Sequence, residues 1–195
     1  MESMPALDSQ VLERARADDP QALDQVVRDA LPLVLSWCAR LGGPKVDHED
    51  AAHDIMIVVM RKIGQLNSTD QFDAWLFSIT RRVLAAHRRR AWVRRWVPGL
   101  AIEALAGAAD ESGSPLRASV IGDTAHRVRL ALDELPAPQR EAIILCDLEE
   151  RTALEAAEMV GCPVGTMKSR LRLGRAAFSK AATRRGLADL ALESS

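Results

Sequence analysis

The sequence contains no tyrosine, and aromatic residues occupy only 4% of its 195 positions. Alternation of β-branched and polar residues, the usual pattern of strands, is also rare. Alanine, leucine and arginine dominate instead, and all three are strong helix formers. The composition therefore excludes a β-rich fold and predicts an all-α protein.

Cysteine is scarce, and the three present, Cys38, Cys146 and Cys162, lie far apart without a CxxC spacing. None of the four histidines pairs with a cysteine at a metal-ligand spacing. We therefore expect inert thiols in a reducing compartment, with no metal site and no cofactor. The sequence also lacks a Gly-rich phosphate loop and a nucleophile elbow, so we expect no enzyme activity.

Long apolar runs are absent, and none approaches the ~20 residues that a membrane-spanning helix needs. The first ten residues, MESMPALDSQ, lack the basic and apolar regions of a signal peptide. We expect a cytoplasmic protein with no membrane insertion of its own.

The stretch 151–178 predicts two helices separated by a tight turn. Thr152 and Glu155 have the spacing of a capping box at the start of the first helix. Gly161 is suited to end that helix, and Pro163 to begin the next. A short helix, a glycine-containing turn and a basic second helix are typical of a helix-turn-helix, whose second helix enters the DNA major groove. The helical spacing predicts inward-facing side chains at Leu154, Ala157, Val160, Val164, Met167, Leu171 and Phe178.

Charge supports a DNA-binding role for the second of these helices. The whole chain has a net charge of −1, yet 159–188 contains seven lysines or arginines and no acidic residue. Solvated helices usually mix the two signs, whereas a run of one sign favours phosphate binding. The predicted DNA-binding residues are Thr166, Lys168, Ser169, Arg170, Arg172 and Arg175.

A second basic segment, 73–96, carries seven arginines, and no acidic residue occurs from 74 to 102. Arginines with interspersed aromatic rings such as Phe77, Trp92 and Trp96 are typical of proteins that bind unpaired bases. The alternative is an amphipathic helix with aromatic residues in the core, which we favour for Trp75; a membrane-surface helix is a third alternative. The apolar stripe predicted for such a helix is Trp75, Leu76, Ile79, Val83 and Ala86.

Residues 47–63 predict a helix with acidic residues at its start, where they favour the helix dipole. Apolar residues among acids on its outer face indicate a partner surface, although Ile57 and Met60 could equally be core. Pro32 predicts a kink or break in the helix that begins near Pro20. The outer face of 47–63 consists of Asp50, His53, Asp54, Ile57 and Arg61.

Residues 98–123 are rich in alanine, glycine and serine and predict a flexible linker. The linker separates two small helical domains, 9–97 and 124–187, each of which ends in a basic segment.

In this order the segments resemble the extracytoplasmic-function sigma factors, group 4 of the sigma-70 family of RNA polymerase. The most specific likeness is GTMKSRL at 165–171, preceded by Glu-Ala-Ala and followed by Arg175-Ala176. The sequence FDAWLFSITRRVLAAHRRR at 72–90 is similar to the segment that melts and reads the −10 element, although Arg82 stands where the family usually has Asn.

The resemblance implies that 9–97 is sigma region 2 and that 124–187 is region 4 with its helix-turn-helix. It implies a protein that binds core RNA polymerase and directs initiation from promoters with −35 and −10 elements. The implied partners are promoter DNA, the β′ clamp helices, the β flap and an anti-sigma factor. The residues of 166–175 given above would read the −35 element, and the outer face of 47–63 would bind core polymerase. The residues implied for the −10 element are Arg81, Arg82, Arg88, Arg89 and Trp92.

The alternative is a stand-alone helix-turn-helix regulator that binds duplex DNA as a dimer. Such a protein would need only the second half of the chain and would leave the arginine-rich segment 73–96 unexplained.

Overall fold

The structure, a computed structural model, describes residues 8–96 and 120–187, and every regular element in these ranges is helical. The prediction of an all-α fold is confirmed. Short 3₁₀ turns at Ile63–Gln65 and Thr69–Gln71 precede the fourth helix, and a π-helical turn at Ile144–Leu148 continues the sixth. The helices are α1 (Ser9–Arg16), α2 (Pro20–Leu41), α3 (His48–Lys62), α4 (Phe72–Trp96), α5 (Val120–Asp133), α6 (Ala137–Ile143), α7 (Ala153–Val160) and α8 (Val164–Arg184).

Local capping residues set the start of four helices. Asp8, Asp19 and Asp47 precede α1, α2 and α3, and each carboxylate accepts a hydrogen bond from backbone N–H groups of the first turn. Thr152 and Glu155 form the predicted capping box at the start of α7. These boundaries follow from the sequence because each cap needs only its immediate neighbours.

Helix α2 continues through Pro32, so the predicted break at this residue does not occur. Val26, Ala30, Val34 and Trp37 are all buried on one side of α2, before and after the proline. Burial of this continuous apolar face outweighs the one backbone hydrogen bond that a proline removes.

The amino-terminal half, α1–α4, is centred on two fully buried rings. Trp37 of α2 and Phe77 of α4 meet edge to face, with centroids 5.0 Å apart. Phe77 therefore belongs to the core, and its assignment to a base-stacking surface was wrong. The buried face of α4 also differs from the predicted stripe, because Trp75, Val83 and Ala86 are only half-buried. The most buried large residues of α4 are Phe72, Leu76, Phe77, Ile79 and Leu84.

The carboxy-terminal half, α5–α8, contains the predicted helix-turn-helix in α7 and α8. Gly161 lies between them with φ 72°, the left-handed conformation that glycine adopts without strain. Met167 is buried as predicted, but Leu154 is 55% exposed and its predicted inward position was wrong. Helix α7 buries Ala157 as predicted, together with Ala156 and Met159, so its buried face is displaced to one side of the predicted face.

The two halves pack together and share one apolar cluster, which extends from Leu12 of α1 to Met167 of α8. Helix α4 lies against α7, and α2 lies against α5 and α6. Helix α5 begins at Val120, four residues before the predicted domain start at Thr124. Residues 98–119 of the predicted linker lie outside the described ranges.

Gly174 of α8 lies close to α6 and supplies a test of this packing. A Cβ at this position would lie 3.0 Å from the Gln139 carbonyl oxygen and 3.1 Å from Ile143 Cγ1. Gly174→Ala should lower the free energy of unfolding by about 1–2 kcal/mol, because both neighbours would have to move. Urea unfolding followed by circular dichroism measures the change.

Gly165 is the matched control, since it lies in the same helix with nothing within 4 Å of its hypothetical Cβ. Gly165→Ala should be neutral or stabilising by up to about 1 kcal/mol. Equal effects of the two substitutions would contradict the close approach of α8 to α6.

Candidate nucleic-acid interface

The first half of α8 presents most of the residues predicted to bind DNA. Lys168, Ser169 and Arg172 are exposed, while Thr166 and Arg170 are half-exposed. Met167 and Gly174 are buried on the opposite side of the helix and fix its orientation. The structure therefore leaves all five predicted residues at least partly accessible in the first half of α8.

Arg175 differs from the rest of the predicted set because it is already paired. Its guanidinium donates to Asp147 through Nη2 at 2.6 Å and through Nε at 3.1 Å. The hydrogen bonds with Asp147 raise the pKa of Arg175. Towards the end of the basic run, Arg184 and Arg185 both pair with Glu134.

The positive charge of α8 is therefore divided along its length. Within the described part of the chain, Lys168, Arg170 and Arg172 form no ion pair. Long, unpaired cations beside a short hydroxyl side chain can contact both phosphates and base edges in a major groove.

The predicted arginines of α4 likewise include exposed residues and residues that are already bound by other groups of the protein. Arg82 and Arg89 are exposed. Arg88 instead donates to the Leu41 carbonyl at 2.6 Å, and burial lowers the pKa of its guanidinium. Arg81 contacts the other half of the chain, where it donates to Glu141 at 2.9 Å and to the Val160 carbonyl at 3.2 Å. The side chain of Trp92 lies outside the described residues.

The outer face of α3 is accessible, with Asp50, His53 and Arg61 exposed and Asp54 and Ile57 half-buried. Met60 is 45% exposed, so the alternative that it belongs to the core was wrong.

One residue of this face, Asp54, also connects α3 to α4. Its carboxylate lies 3.0 Å from Nε2 of the buried His87, and the Asp50 carboxylate lies 3.8 Å from Nδ1. These three groups are close enough to hold a metal ion. However, Arg90 Nη1 lies 4.0 Å from the Asp54 carboxylate, so the guanidinium supplies the positive charge that a metal ion would otherwise provide. We interpret the cluster as a clasp that fixes α4 on α3.

Sequence reasoning missed a set of acidic residues that join the two halves. The Glu141 side chain is only 8% exposed, and Arg81 is its ion-pair partner. The Trp37 indole donates to the Glu149 carboxylate, and Asp73 of α4 pairs with Arg151 at 2.7 Å. The apolar run after Glu141 could have indicated burial of this residue, but no sequence signal identified its partner.

Two family models match the chain and together span most of the described residues. Sigma-70 region 2 matches 26–95, and Sigma-70 region 4 matches 125–178. The basic face of α8 lies within the second match, whereas α3 and the described arginines of α4 lie within the first.

Two similar proteins are sigma factors. The ECF RNA polymerase sigma factor EcfG of Rhodopseudomonas palustris is 31% identical over 154 residues, which cover 77% of this chain and 79% of that protein. The RNA polymerase sigma-H factor of Pseudomonas aeruginosa is 27% identical over 89% of this chain and 93% of its own length.

Solved structures agree with these sequence relatives. The sigma factor RpoE of Bartonella quintana, solved with the anti-sigma factor NepR, has a TM-score of 0.60 at 27% identity and covers 82% of this chain and 96% of its own. CnrH, solved with the cytosolic domain of CnrY, has a TM-score of 0.65, covers 91% of this chain and 98% of its own and, at 22% identity, shows the fold.

The fold and the two matched regions define a sigma-70 protein that contains regions 2 and 4. The chain belongs to the extracytoplasmic-function sigma factors, and it directs promoter-specific transcription by RNA polymerase. The alternative of a stand-alone helix-turn-helix regulator is not favoured, because such a protein has no need of region 2.

No helix within 8–96 or 120–187 combines the length and the apolar character required to cross a lipid bilayer.

The Glu149 carboxylate gives a pH-dependent test of the junction between the halves. Burial raises its pKa above the ordinary value of 4.5, although the hydrogen bond from Trp37 opposes the shift. Because the pKa of this carboxyl is higher in the folded protein than in the unfolded chain, protonation stabilises the fold. This contribution to the free energy of unfolding is lost as the pH rises above 4.5. Glu149→Gln should therefore gain stability relative to the wild type between pH 4.5 and pH 7.

Urea midpoints measured across this pH range test the prediction, with Glu158→Gln on the exposed face of α7 as the control. A difference between wild type and Glu149→Gln that does not vary with pH would show that Glu149 is not titrating in a buried site.

Proposed function

We propose that three surfaces of this sigma factor divide the work of promoter recognition. The exposed face of α8 reads the −35 element as duplex DNA. The observation that supports this most directly is the group of unpaired cations, Lys168, Arg170 and Arg172, beside the exposed Ser169. Thr166 and Arg175 complete the proposed set, and Arg175 must exchange Asp147 for DNA when it binds.

The second surface lies on α4 and holds the −10 element as an opened strand. Arg82 and Arg89 are accessible for phosphate contacts, whereas Arg81 and Arg88 need to leave their present partners. Trp92 supplies a ring for stacking on an unpaired base, an interaction worth ~1–3 kcal/mol.

The third surface is the outer face of α3, which binds the β′ clamp helices of core polymerase. Its support is the accessible combination of acids with Ile57 and Met60, since a mixed polar and apolar patch is typical of a transient interface. Region 4 additionally contacts the β flap. We propose that region 2 is 9–97 and that region 4 begins with α5 and extends to 187, with a linker between them.

An anti-sigma factor and a cytoplasmic location complete the proposal. The Bartonella quintana relative was solved with an anti-sigma factor, and we propose a partner of this class for the present chain. The chain is regulatory and has no catalytic activity of its own.

The decisive experiment combines the purified chain with core RNA polymerase on a library of promoter fragments. Selected run-off transcripts that require the chain would give the −35 and −10 sequences together. A palindromic footprint by the chain alone, without any transcript when core is present, would instead support a stand-alone regulator.

Lys168→Ala should weaken recognition of the −35 element while leaving binding to core unchanged. The expected loss is ~1–3 kcal/mol if Lys168 contacts a base edge, or a shallower salt dependence if it contacts only phosphate. Fluorescence anisotropy with holoenzyme and a labelled promoter fragment measures both quantities.

Lys180→Ala is the matched control, because Lys180 is an exposed lysine of α8 outside the predicted set. An equal loss of promoter affinity in both variants would mean that general charge, not a specific contact, explains the effect of Lys168.

Asp50→Arg should reduce affinity for core at least tenfold and leave the affinity of the isolated chain for DNA unreduced. Charge reversal at an exposed acid of the proposed face should oppose docking on the polymerase. Asp50 is preferred to Asp54 for this test because the clasp with His87 depends mainly on Asp54.

Glu49→Arg provides the control, since Glu49 is an exposed neighbour in the same first turn and lies outside the predicted face. If fluorescence titration with core gave the same affinity for Asp50→Arg and wild type, the outer face of α3 would not be the docking surface.

A further inference from the structure

Leu173, in the middle of α8, is an exposed apolar residue that the three proposed surfaces leave unexplained. It is 46% exposed, and within the ranges that the structure describes the other large apolar residues with such exposure are Met60 and Leu154. Met60 belongs to the proposed polymerase surface on α3, and Leu154 lies in the first turn of α7. Single exposed leucines are common on protein surfaces, so exposure alone does not identify a site.

The position of Leu173 on α8 distinguishes it from an ordinary surface leucine. Residues three and four apart lie on the same side of a helix, so Leu173 is one turn beyond Arg170 and Ser169. Gly174 marks the inward side of α8, because it is buried against α6. At about 100° per residue, Leu173 lies roughly 100° around the helix from Gly174 but only about 40° from Ser169. The leucine is therefore directed to the same side as the proposed −35 contacts.

Packing of the fold gives no reason for a leucine at this position. Leu173 belongs to neither of the two apolar clusters formed by the described residues. One turn further along α8, positions 176 and 177 are alanines, so no large side chain of that turn covers Leu173. Alanine would favour the helix slightly more than leucine at such an exposed site. The leucine is thus available for a contact outside the protein.

The DNA major groove offers one apolar group to such a side chain, the C5-methyl group of thymine. The remaining base edges present hydrogen-bond donors and acceptors, which suit the serine, lysine and arginine side chains of α8. Leucine cannot pair with any of these groups, and beside cytosine it would leave the N4 amino donor without a partner. A leucine against the base edges therefore favours thymine over cytosine.

We propose that Leu173 determines a preference for thymine in the −35 element by packing against the C5-methyl group of one thymine. The inference deepens the proposed function and rests on it, since it requires that α8 enters the major groove of the −35 element. It gives a base preference to the apolar residue of a surface on which Lys168, Ser169 and Arg172 supply charge and hydrogen bonds.

The test uses holoenzyme assembled from the full chain and core polymerase, with a promoter identified by the transcription experiment. Each thymine of the −35 element, on either strand, is replaced in turn by deoxyuridine, which lacks only the C5-methyl group. Fluorescence anisotropy should show that affinity falls about three- to fivefold at one position, the effect of one apolar carbon left in water.

Leu173→Ala removes the proposed partner of the methyl group. This variant should bind the thymine promoter about three- to tenfold more weakly than the wild type, because the whole apolar contact is lost. Deoxyuridine at the sensitive position should then have no further effect, since the two changes remove the same contact. Leu173→Met retains an apolar side chain of similar volume and should preserve most of the sensitivity to deoxyuridine. Circular dichroism should show that both variants are folded.

Leu154→Ala is the matched control, because Leu154 is 55% exposed but lies on α7, outside the proposed set. It should change neither the promoter affinity nor the response to deoxyuridine. An equal loss of affinity in Leu154→Ala and Leu173→Ala would contradict a specific contact. The proposal would be overturned by a −35 element without thymine, or by a wild type whose response to deoxyuridine is absent or is retained in full by Leu173→Ala.

Titration with core polymerase separates a DNA contact of Leu173 from a protein contact. Leu173→Ala should bind core with the affinity of the wild type. Weaker binding to core, with discrimination between thymine and deoxyuridine intact, would place Leu173 against the polymerase and would also overturn the proposal.

Failure of this inference is distinguishable from failure of the proposed function. Promoter-dependent transcription by the wild type, together with promoter binding that is insensitive to deoxyuridine, would remove only the thymine contact. Absence of transcripts with the wild type and with every variant would count against the proposed function itself.

Discussion

The position of Trp37 is the constraint on which the arrangement of the two halves depends. One edge of its ring system meets Phe77 in the amino-terminal core, and its indole N–H donates to Glu149 of the carboxy-terminal half. The side chain is fully buried, so its single polar group needs a partner inside the protein. Glu149 supplies that partner, and the same hydrogen bond satisfies the buried Glu149 carboxylate. The two halves therefore satisfy each other's buried polar groups as well as sharing an apolar cluster.

Charge is distributed so that some cations are held by the protein and others remain accessible. Arg81, Arg88 and Arg175 are bound by Glu141, the Leu41 carbonyl and Asp147, whereas Lys168 and Arg172 project into solvent. The net charge of −1 conceals this division completely. A cation that already has a carboxylate must exchange it for DNA, and the exchange returns little net electrostatic energy. A solvated cation gains affinity through the release of counterions from DNA.

The sequence was sufficient for features that depend on neighbouring residues. The capping box of Thr152 and Glu155, the left-handed turn at Gly161 and the helical character of every described element were predicted correctly. The family was also recognisable from the GTMKSRL stretch, because the residues on the exposed face of a recognition helix are dictated by its function and not by packing.

The predictions that failed concern contacts between distant parts of the chain. Phe77 was interpreted as a base-stacking residue and Leu154 as a core residue, and both interpretations were wrong. Helical periodicity shows which residues share a face of a helix, but it does not show which face another helix packs against. The pairing of Arg81 with Glu141 joins residues 60 positions apart and could not be inferred from either segment alone. Pro32 was expected to kink or break α2, and the predicted break does not occur, because local helix propensity does not take account of the apolar face that continues on both sides of Pro32.

The absence of a side chain at Gly174 has a consequence for how promoter preference could change. Because Gly174 has no Cβ, α8 can approach the backbone of α6 closely at this point, and this contact orients α8 on α6. The outward directions of Lys168, Ser169 and Arg172 are thereby fixed relative to the rest of region 4. Replacing those three side chains changes the hydrogen-bond donors and acceptors that α8 presents to a base pair, while the position of α8 on α6 is unchanged. The residues that determine promoter preference can therefore change without affecting the residues that stabilise the fold.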